Sequence, residues 1–383
     1  MSVEKNIPDI RFAEFSEEWA NKNIGSILAE KKRPIELMDN ESYQLVTVKR
    51  RNEGVVPRSI LKGRNILVKN YFTVKAGDYL VSKRQVVHGA NGIVPKSLDN
   101  SVVSNEYLVV IDSDEITAQF WTVISKRPEM HKLFFVSSYG VDIEKLVFDV
   151  TDWKSRAIAV PRIAEQQFIT DHFQKLDSLI NQHQQKHDKL ISIKKAVLEK
   201  MFPKQGETIP QIRLKGFGGE WSGVPLSQVI DVRSGKDYKH LDKGCIPVYG
   251  TGGYMLSVDG ALSYDEDAIG IGRKGTIDKP YLLRAPFWTV DTLFHAVPYP
   301  NFNLDFLFCL FQNIDWKMHD ESTGVPSLSK VAINNIPVFV TDEKEQTQIG
   351  NYFQKLDALI NQHQQQITKL NNIKQACLSK MFA

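Results

Sequence analysis

One stretch of sequence decides the fold. Residues Glu165–Phe202 read EQQFITDHFQKLDSLINQHQQKHDKLISIKKAVLEKMF, and they return as EQTQIGNYFQKLDALINQHQQQITKLNNIKQACLSKMF at Glu345–Phe382. The copies lie 180 residues apart and are identical at 24 of 38 positions. Both copies contain a seam of residues that are spaced alternately three and four positions apart, which is the heptad pattern of a coiled coil. The seam residues are mainly apolar, with a few histidines and a lysine. No proline interrupts either copy, so each is predicted to form one long helix.

A second, shorter repeat lies upstream of each helix. Residues 8–19 carry Pro-x-Ile-Arg, a phenylalanine and Glu-Trp, and residues 210–221 carry the same pattern, displaced by 202. The first half therefore has about 22 more residues in its middle (202 against 180). The duplication predicts a globular domain at 1–160, a helix at 161–203, a second domain at 204–340 and a helix at 341–383. The helices are expected to pack antiparallel about an approximate two-fold axis.

The two interiors predict a mixed α/β (α+β) fold. Short β-branched or aromatic runs bounded by glycine turns are typical of strands, and longer runs with helical apolar spacing predict helices. The predicted strands are Gln44–Val48, Asp78–Val81, Tyr107–Ile111, Ala268–Ile271 and Trp288–Val290, and the predicted helices are Ala118–Lys126 and Leu304–Asn313.

Composition excludes several classes of protein. The chain has 383 residues, of which 42% are apolar and 24% charged, so it is not a mostly disordered chain. The longest near-apolar run, Leu304–Phe311, is too short to span a bilayer, and the N-terminus has no secretory signal pattern. The three cysteines are widely spaced and form no metal-binding pair. We expect a cytoplasmic protein without a membrane segment or a metal.

Charge is unevenly distributed although the net charge is only +3. Residues 45–110 contain eleven Lys/Arg against four Asp/Glu, whereas residues 231–290 contain eight of each. A local excess of cations favours a polyanionic partner such as nucleic acid. A solvated basic surface is the alternative.

Motifs for chemistry are weak. Gly270–Gly275 is a formal GxGxxG, but Pro280 follows closely, so no helix can begin there to hold a dinucleotide. A glycine turn that points Arg273 and Lys274 outward is the better interpretation. His183 and His187 have the spacing of a zinc pair, but Ile367 stands where the repeat requires the second histidine, which indicates packing.

A nuclease remains as an alternative. Asp9, Glu30 and Lys32 formally match a loose PD…ExK pattern, in which two carboxylates and a lysine hold a metal beside a phosphate. The second repeat lacks the first carboxylate, because Gln211 follows Pro210. The sequence has no nucleophile elbow, phosphate loop, zinc-protease motif or base-flipping motif of amino-methyltransferases, so no catalytic residue is predicted.

The repeated helix ends resemble those of the specificity subunit of type I restriction-modification enzymes. Both helices end in Lys-Met-Phe, and both are preceded by a proline and then Glu165-Gln166 or Glu345-Gln346. Phe287–Asp291, Ser322–Leu328 and the turn at 249–253 are similar to elements of that family's target-recognition domains. The first interior lacks the Phe-Trp-Thr-Val-Asp run, so the two interiors should recognise different sequences.

The resemblance implies two globular target-recognition domains separated by two long antiparallel coiled-coil helices. It implies a non-catalytic subunit without a cofactor that binds double-stranded DNA. Two methylation subunits would dock on the helices and carry S-adenosylmethionine, and restriction subunits would add ATP- and Mg²⁺-dependent translocation and cleavage. The target would be two unlike half-sites with a gap of constant length. A coiled-coil scaffold that joins two protein-binding domains without DNA contact is the alternative.

Residues for DNA contact are chosen because base edges are recognised by Arg, Lys, Asn and Gln, while any cation holds a phosphate. The candidates in the first interior are Lys49, Arg50, Lys83, Arg84, Gln85, His88 and Asn91, and those in the second are Lys236, Tyr238, Lys239, Arg273, Lys274 and Lys330.

Apolar positions outside the heptad seam widen the stripe on each helix beyond what one partner helix needs. They predict a surface for the methylation subunits, formed by Leu179, Ile193, Leu198, Leu359, Ile373 and Leu378.

Overall fold

The computed structural model describes residues 6–68, 70–204 and 206–382. The chain forms two compact units. Unit 1 comprises residues 1–182 and 366–383, and unit 2 comprises residues 183–365. Each unit therefore combines one α/β domain with part of each long helix, as the duplication requires.

Unit 1 contains two main sheets with short helices beside them. Its four-stranded sheet has the order β2-β10-β7-β8, and its five-stranded sheet has the order β3-β6-β9-β4-β5. The strands β1 and β13, and β11 and β12, form separate pairs. The elements are β1 Ala20–Asn23, α1 Ile24–Ile27, β2 Ala29–Glu30, β3 Pro34–Ile35, β4 Ser42–Lys49, β5 Gly54–Lys62, β6 Tyr71–Thr73, β7 Tyr79–Ser82, β8 Asn91–Ile93, β9 Val102–Ser104, β10 Tyr107–Ile111, α2 Ala118–Ile124, α3 Pro128–Val136, β11 Ser138–Tyr139, β12 Val147–Phe148, α4 Val150–Ser155 and β13 Ala157–Val160.

Unit 2 is built on the same plan with fewer strands. A four-stranded sheet has the order β15-β21-β18-β19, a three-stranded sheet has the order β17-β16-β20, and β14 pairs with β22. The long helix α5, Ile163–Met201, leads into this unit, and α8, Glu343–Lys380, follows it. The elements between them are β14 Ser222–Pro225, β15 Ile230–Ser234, β16 Lys243–Gly250, β17 Gly253–Val258, β18 Ala268–Gly272, β19 Tyr281–Leu283, β20 Trp288–Thr289, β21 Leu293–Pro298, α6 Leu304–Asn313, α7 Lys330–Asn334 and β22 Pro337–Val340.

The two long helices run antiparallel within each unit. In unit 1, Lys374 of α8 binds Asp177 of α5, and in unit 2, Lys194 of α5 binds Asp357 of α8 at 2.6 Å. These two ion pairs join equivalent positions of the repeat, with the roles of the helices exchanged. The predicted mixed fold with paired long helices is confirmed.

A histidine pair lies on the heptad seam in unit 2. The Nδ1 atoms of His183 and His363, which are equivalent positions of the repeat, are 2.9 Å apart. His187 instead has its Nδ1 3.0 Å from a carboxylate oxygen of Asp188, and Ile367 is buried, as a packing position should be. The described residues contain no group of three or more metal-ligating side chains.

Each core continues onto the ends of the long helices. Leu378 belongs to the same apolar core of unit 1 as Trp121 and Trp153, and Leu198 belongs to the core of unit 2. Both leucines are less than a tenth exposed. The expectation that these two residues lie on an exposed stripe for a partner is therefore wrong, because the domain itself covers that face of the helix.

Candidate nucleic-acid interface

The turn between β4 and β5 is fastened to a second loop in unit 1. Arg51 and Asn52 adopt the left-handed conformation, with φ of 59° and 56°. Their amides donate to the carbonyls of His88 and Gly89 at 2.7 and 2.8 Å. The turn that carries Lys49 and Arg50 is thereby held against the loop between β7 and β8, which carries the other candidates of this unit.

Arg50 lies at the centre of the resulting group. Its Nε donates to Oε1 of Gln85 at 2.7 Å, and its Nη2 donates to Glu144 at 2.5 Å. The same carboxylate is 3.5 Å from Nε2 of His88. Two candidates from distant segments, Arg50 and His88, thus flank Glu144, and Gln85 joins the group through Arg50. Glu144 could not be selected from sequence, because an isolated acidic residue gives no signal for a basic surface.

Lys83 and Arg84 extend this group toward the β9–β10 turn. The Nζ of Lys83 donates to the Asn105 carbonyl at 2.8 Å, and Arg84 pairs with Glu106 at 2.7 Å. The hydrogen bond to Glu106 raises the pKa of Arg84. Both partners of that pair are about half exposed, and exposed ion pairs add little to stability, so a phosphate can replace the carboxylate at small cost.

Asn91 does not belong to the accessible surface. It is 1% exposed, and its Nδ2 donates to Oδ1 of Asn52 at 3.1 Å. Asn91 therefore stabilises the β4–β5 turn, and the expectation that it contacts a base is wrong. Sequence could not show this, because the asparagine begins β8, whose first two residues are buried.

In unit 2 the GxGxxG segment comprises the end of β18 and the turn that follows this strand, and no helix begins there. The amide of Arg273 donates to Thr292 at 2.8 Å and its carbonyl accepts from Leu328 at 2.9 Å. Gly275, with φ of 98°, donates its amide to the Pro326 carbonyl at 2.8 Å. The exposed Arg273 and Lys274 therefore lie against the loop that precedes α7.

The conformation of that loop is stabilised by the carboxylate of Asp320. Oδ1 of Asp320 accepts from the amides of Ser322 and Ser327 at 3.0 and 2.9 Å, and these hydrogen bonds lower the pKa of Asp320. Lys330 begins α7 just after the loop. Together with Arg273 and Lys274 it lines a concave site of about 490 Å³, so the structure brings these three candidates together.

The remaining candidates of unit 2 form a separate group. The amide of Lys236 donates to Thr289 at 2.8 Å, and its carbonyl accepts from Nε1 of Trp288 at 2.8 Å, which ties this segment to the Phe-Trp-Thr-Val-Asp run. Tyr238 and Lys239 line another concave site, of about 770 Å³. Lys243 and Tyr254, which the sequence analysis did not select, line it too.

Of the three residues of the nuclease pattern, Glu30 has an ion-pair partner elsewhere in its own domain. Glu30 forms an ion pair with Lys154 of α4, while Asp9 and Lys32 are exposed. The structure thus gives Glu30 a partner from the domain itself.

Four apolar residues of the predicted helix surface remain accessible. Ile193, Leu359 and Ile373 are between 37% and 44% exposed, and Leu179 is half-buried. Among the described helices, none has a stretch that is both long and apolar enough to cross a membrane.

Comparisons with known proteins show what the sequence and the fold of this chain are similar to. Residues 218–372 match the family described as type I restriction modification DNA specificity domain. The fold resembles the crystal structure of the type I restriction-modification system S subunit from M. genitalium, with a TM-score of 0.63, 18% identity and coverage of 98% of this chain and 99% of that one. A second structure, from work on assembly and conformational transition of the type I R-M system, gives a TM-score of 0.52, 15% identity and coverage of 95% and 97%. No curated protein matches in sequence. The resemblance drawn from the helix-end motifs is confirmed.

Proposed function

We propose that this chain selects the DNA target of a type I restriction-modification enzyme, since residues 218–372 match the family described as type I restriction modification DNA specificity domain. Each unit binds one half of a bipartite, asymmetric target in double-stranded DNA. The observation that carries this proposal is that equivalent long helices support two unlike groups of exposed cations, one around Arg50 and one around Arg273.

The chain itself performs no catalysis in this proposal. Two methylation subunits bind the accessible apolar residues of the long helices and supply S-adenosylmethionine, and restriction subunits supply the ATP- and Mg²⁺-dependent activities. Ile193 and Ile373 support binding of the methylation subunits to the long helices. Each occupies the same position of its helix, and neither is covered by its own unit.

The gap between the half-sites is constant and its bases are not read. Domains that read one face of B-DNA have centres about 10 base pairs apart. With half-sites of three to five base pairs, the gap is roughly five to eight base pairs. Half-sites of different sequence are expected, because the candidate residues of the two units differ in type and in number.

The test is DNA binding by the complex with its methylation subunits, measured against salt concentration. Phosphate contacts make log K fall linearly with log salt. Random duplex should therefore bind weakly, with an affinity that falls steeply as the salt concentration rises. The duplex mapped by genome-wide adenine methylation should bind more tightly. A complex that assembles but binds no duplex at low salt would favour the protein-binding scaffold instead. Methyl transfer or cleavage by the purified chain alone would contradict its non-catalytic role.

A further inference from the structure

Each unit presents one loop with an exposed valine directly after a glycine. In unit 1 the loop joins β11 to β12 and begins with Gly140-Val141. In unit 2 the loop precedes α7 and contains Gly324-Val325. Val141 is fully exposed and Val325 is 57% exposed.

Both loops are fastened to the candidate cations. Three residues beyond Val141, Glu144 pairs with Arg50 at 2.5 Å, and the amide of Phe148 at the end of the loop donates to the Lys83 carbonyl at 2.9 Å. In unit 2, the carbonyl of Pro326, directly after Val325, accepts from Gly275 at 2.8 Å. The two interiors differ in sequence and in strand number, yet each fastens the loop that carries its valine to the segment that carries its basic group.

In unit 1 further apolar side chains close to Val141 in sequence are exposed. Phe135 and Val136 at the end of α3, Tyr139 of β11 and Ile143 of the loop are all at least 45% exposed. Apolar side chains gathered at one exposed place indicate a binding surface. The neighbouring cations select a polyanion, and apolar groups beside such cations contact thymine methyl groups or base faces in DNA.

We propose that Val141 and Val325 are apolar sequence-reading contacts, one in each half-site, which the basic groups carry into the groove of the duplex. The cations hold the phosphates, and the valine methyl groups pack against base atoms. This inference rests on the proposed function, and it adds a class of contact that the cations and polar residues cannot make.

The test compares valine variants with a cation variant in the complex with its methylation subunits. Val141→Ala and Val325→Ala each remove two methyl groups, and about 0.8 kcal/mol for each buried carbon corresponds to about a tenfold loss of affinity for the mapped duplex. Binding to random duplex and the salt slope should stay unchanged, because valine neutralises no phosphate. Arg273→Ala should instead reduce the slope by about one.

Matched controls separate this effect from a general loss of apolar surface. Ile60→Ala in unit 1 and Met318→Ala in unit 2 change apolar residues outside the two loops that are also more than half exposed, and wild-type affinity is expected. If the complex discriminates the mapped duplex but both valine variants bind it as the wild type does, the inference is overturned while the proposed function stands. If the wild-type complex discriminates no duplex, the proposed function itself fails. Replacing each thymine of the half-sites by uracil then tests the methyl contact. A thymine whose methyl group contacts one of the valines should lower the affinity of the wild-type complex when it is replaced. The same replacement should not change the affinity of the alanine variant of that valine.

Discussion

The guanidinium of Arg11 holds the carboxylate of Glu165 through two hydrogen bonds of 2.7 Å each. Arg213 holds Glu345 with the same two distances. Both glutamates are almost fully buried. This relationship explains why the Pro-x-Ile-Arg and Glu-Gln motifs recur together, because one motif supplies the cation that the other needs.

The first prediction concerns this buried pair. Arg11→Ala should lower the free energy of unfolding by about 3–5 kcal/mol, because it leaves a buried carboxylate without a counter-charge. Arg213→Ala should do the same in unit 2. Urea unfolding followed by tryptophan fluorescence measures the change.

An exposed ion pair supplies the control. Arg162 pairs with Glu17, and both side chains are more than half exposed. Arg162→Ala should therefore change the free energy of unfolding by no more than about 1 kcal/mol. Equal effects of the Arg11 and Arg162 variants would show that burial does not decide the strength of the pair.

Sequence predicted the fold where a pattern repeats along the chain. The heptad spacing predicted both long helices, and the Leu304–Asn313 helix was predicted with its observed bounds. The partner of Glu165 was not predicted, because 154 residues separate it from Arg11 and only the folded chain brings them together.

The site was predicted less completely. Charge and residue type select Arg50 and Arg273, which the structure leaves accessible, but they carry no information on burial, so Asn91 and Leu198 were selected too. The exposed valines were missed because a single apolar residue after glycine is unremarkable in sequence. Only the hydrogen bonds of their loops to the basic groups set them apart.

The second prediction concerns phosphate contact in unit 1. Arg84→Ala should weaken binding to all duplexes and reduce the slope of log K against log salt by about one, because one fewer counterion is released. Lys96→Ala, which removes an exposed cation outside this group, should leave the slope unchanged. Fluorescence anisotropy of a labelled duplex at several salt concentrations measures both, and equal slopes in the two variants would count against the placement of Arg84.

The third prediction concerns acid stability of unit 2. Burial lowers the pKa of His295 to about 4, and its Nδ1 is 3.0 Å from Oγ1 of Thr289. The ordinary pKa of histidine is about 6.5, so the unfolded chain binds the proton more readily and stability should fall as the pH drops from about 6.5 toward 4. The loss should be on the order of 3 kcal/mol when complete.

Thermal unfolding at pH 7.5 and pH 5 tests this assignment. His295→Gln should flatten the dependence on pH, because the group that takes up the proton is gone. His240→Gln replaces an exposed histidine and should keep the wild-type dependence. If the His295 variant loses as much stability at pH 5 as the wild type does, a different group is responsible for the acid sensitivity.

The fourth prediction concerns the surface of the long helices. Ile193→Glu with Ile373→Glu should prevent assembly with the methylation subunits, because a charge would be buried in an apolar interface. Thermal stability of the chain itself should stay the same, since both residues are exposed. Leu198→Glu should instead destabilise unit 2. Size-exclusion chromatography with the methylation subunits measures assembly. Ser192→Glu is the matched control and should leave the complex intact. An intact complex of the isoleucine variant would contradict the proposed surface.

The last prediction concerns the gap in the DNA target. Helix α5 is continuous from Ile163 to Met201, and an insertion of four residues between Gln185 and Lys189 adds about 6 Å and little more than one turn. Because α8 pairs with α5 in an antiparallel manner within each unit, a matched insertion between Gln365 and Lys369 keeps the seam in register. The gap should lengthen while both half-sites stay the same, because no residue of the basic groups is altered. Mapping of methylated adenines in a host that carries the double insertion measures both quantities together. A changed half-site with an unchanged gap would show that the helices do not set the spacing, and a palindromic target of the parent chain would contradict recognition by two unlike units.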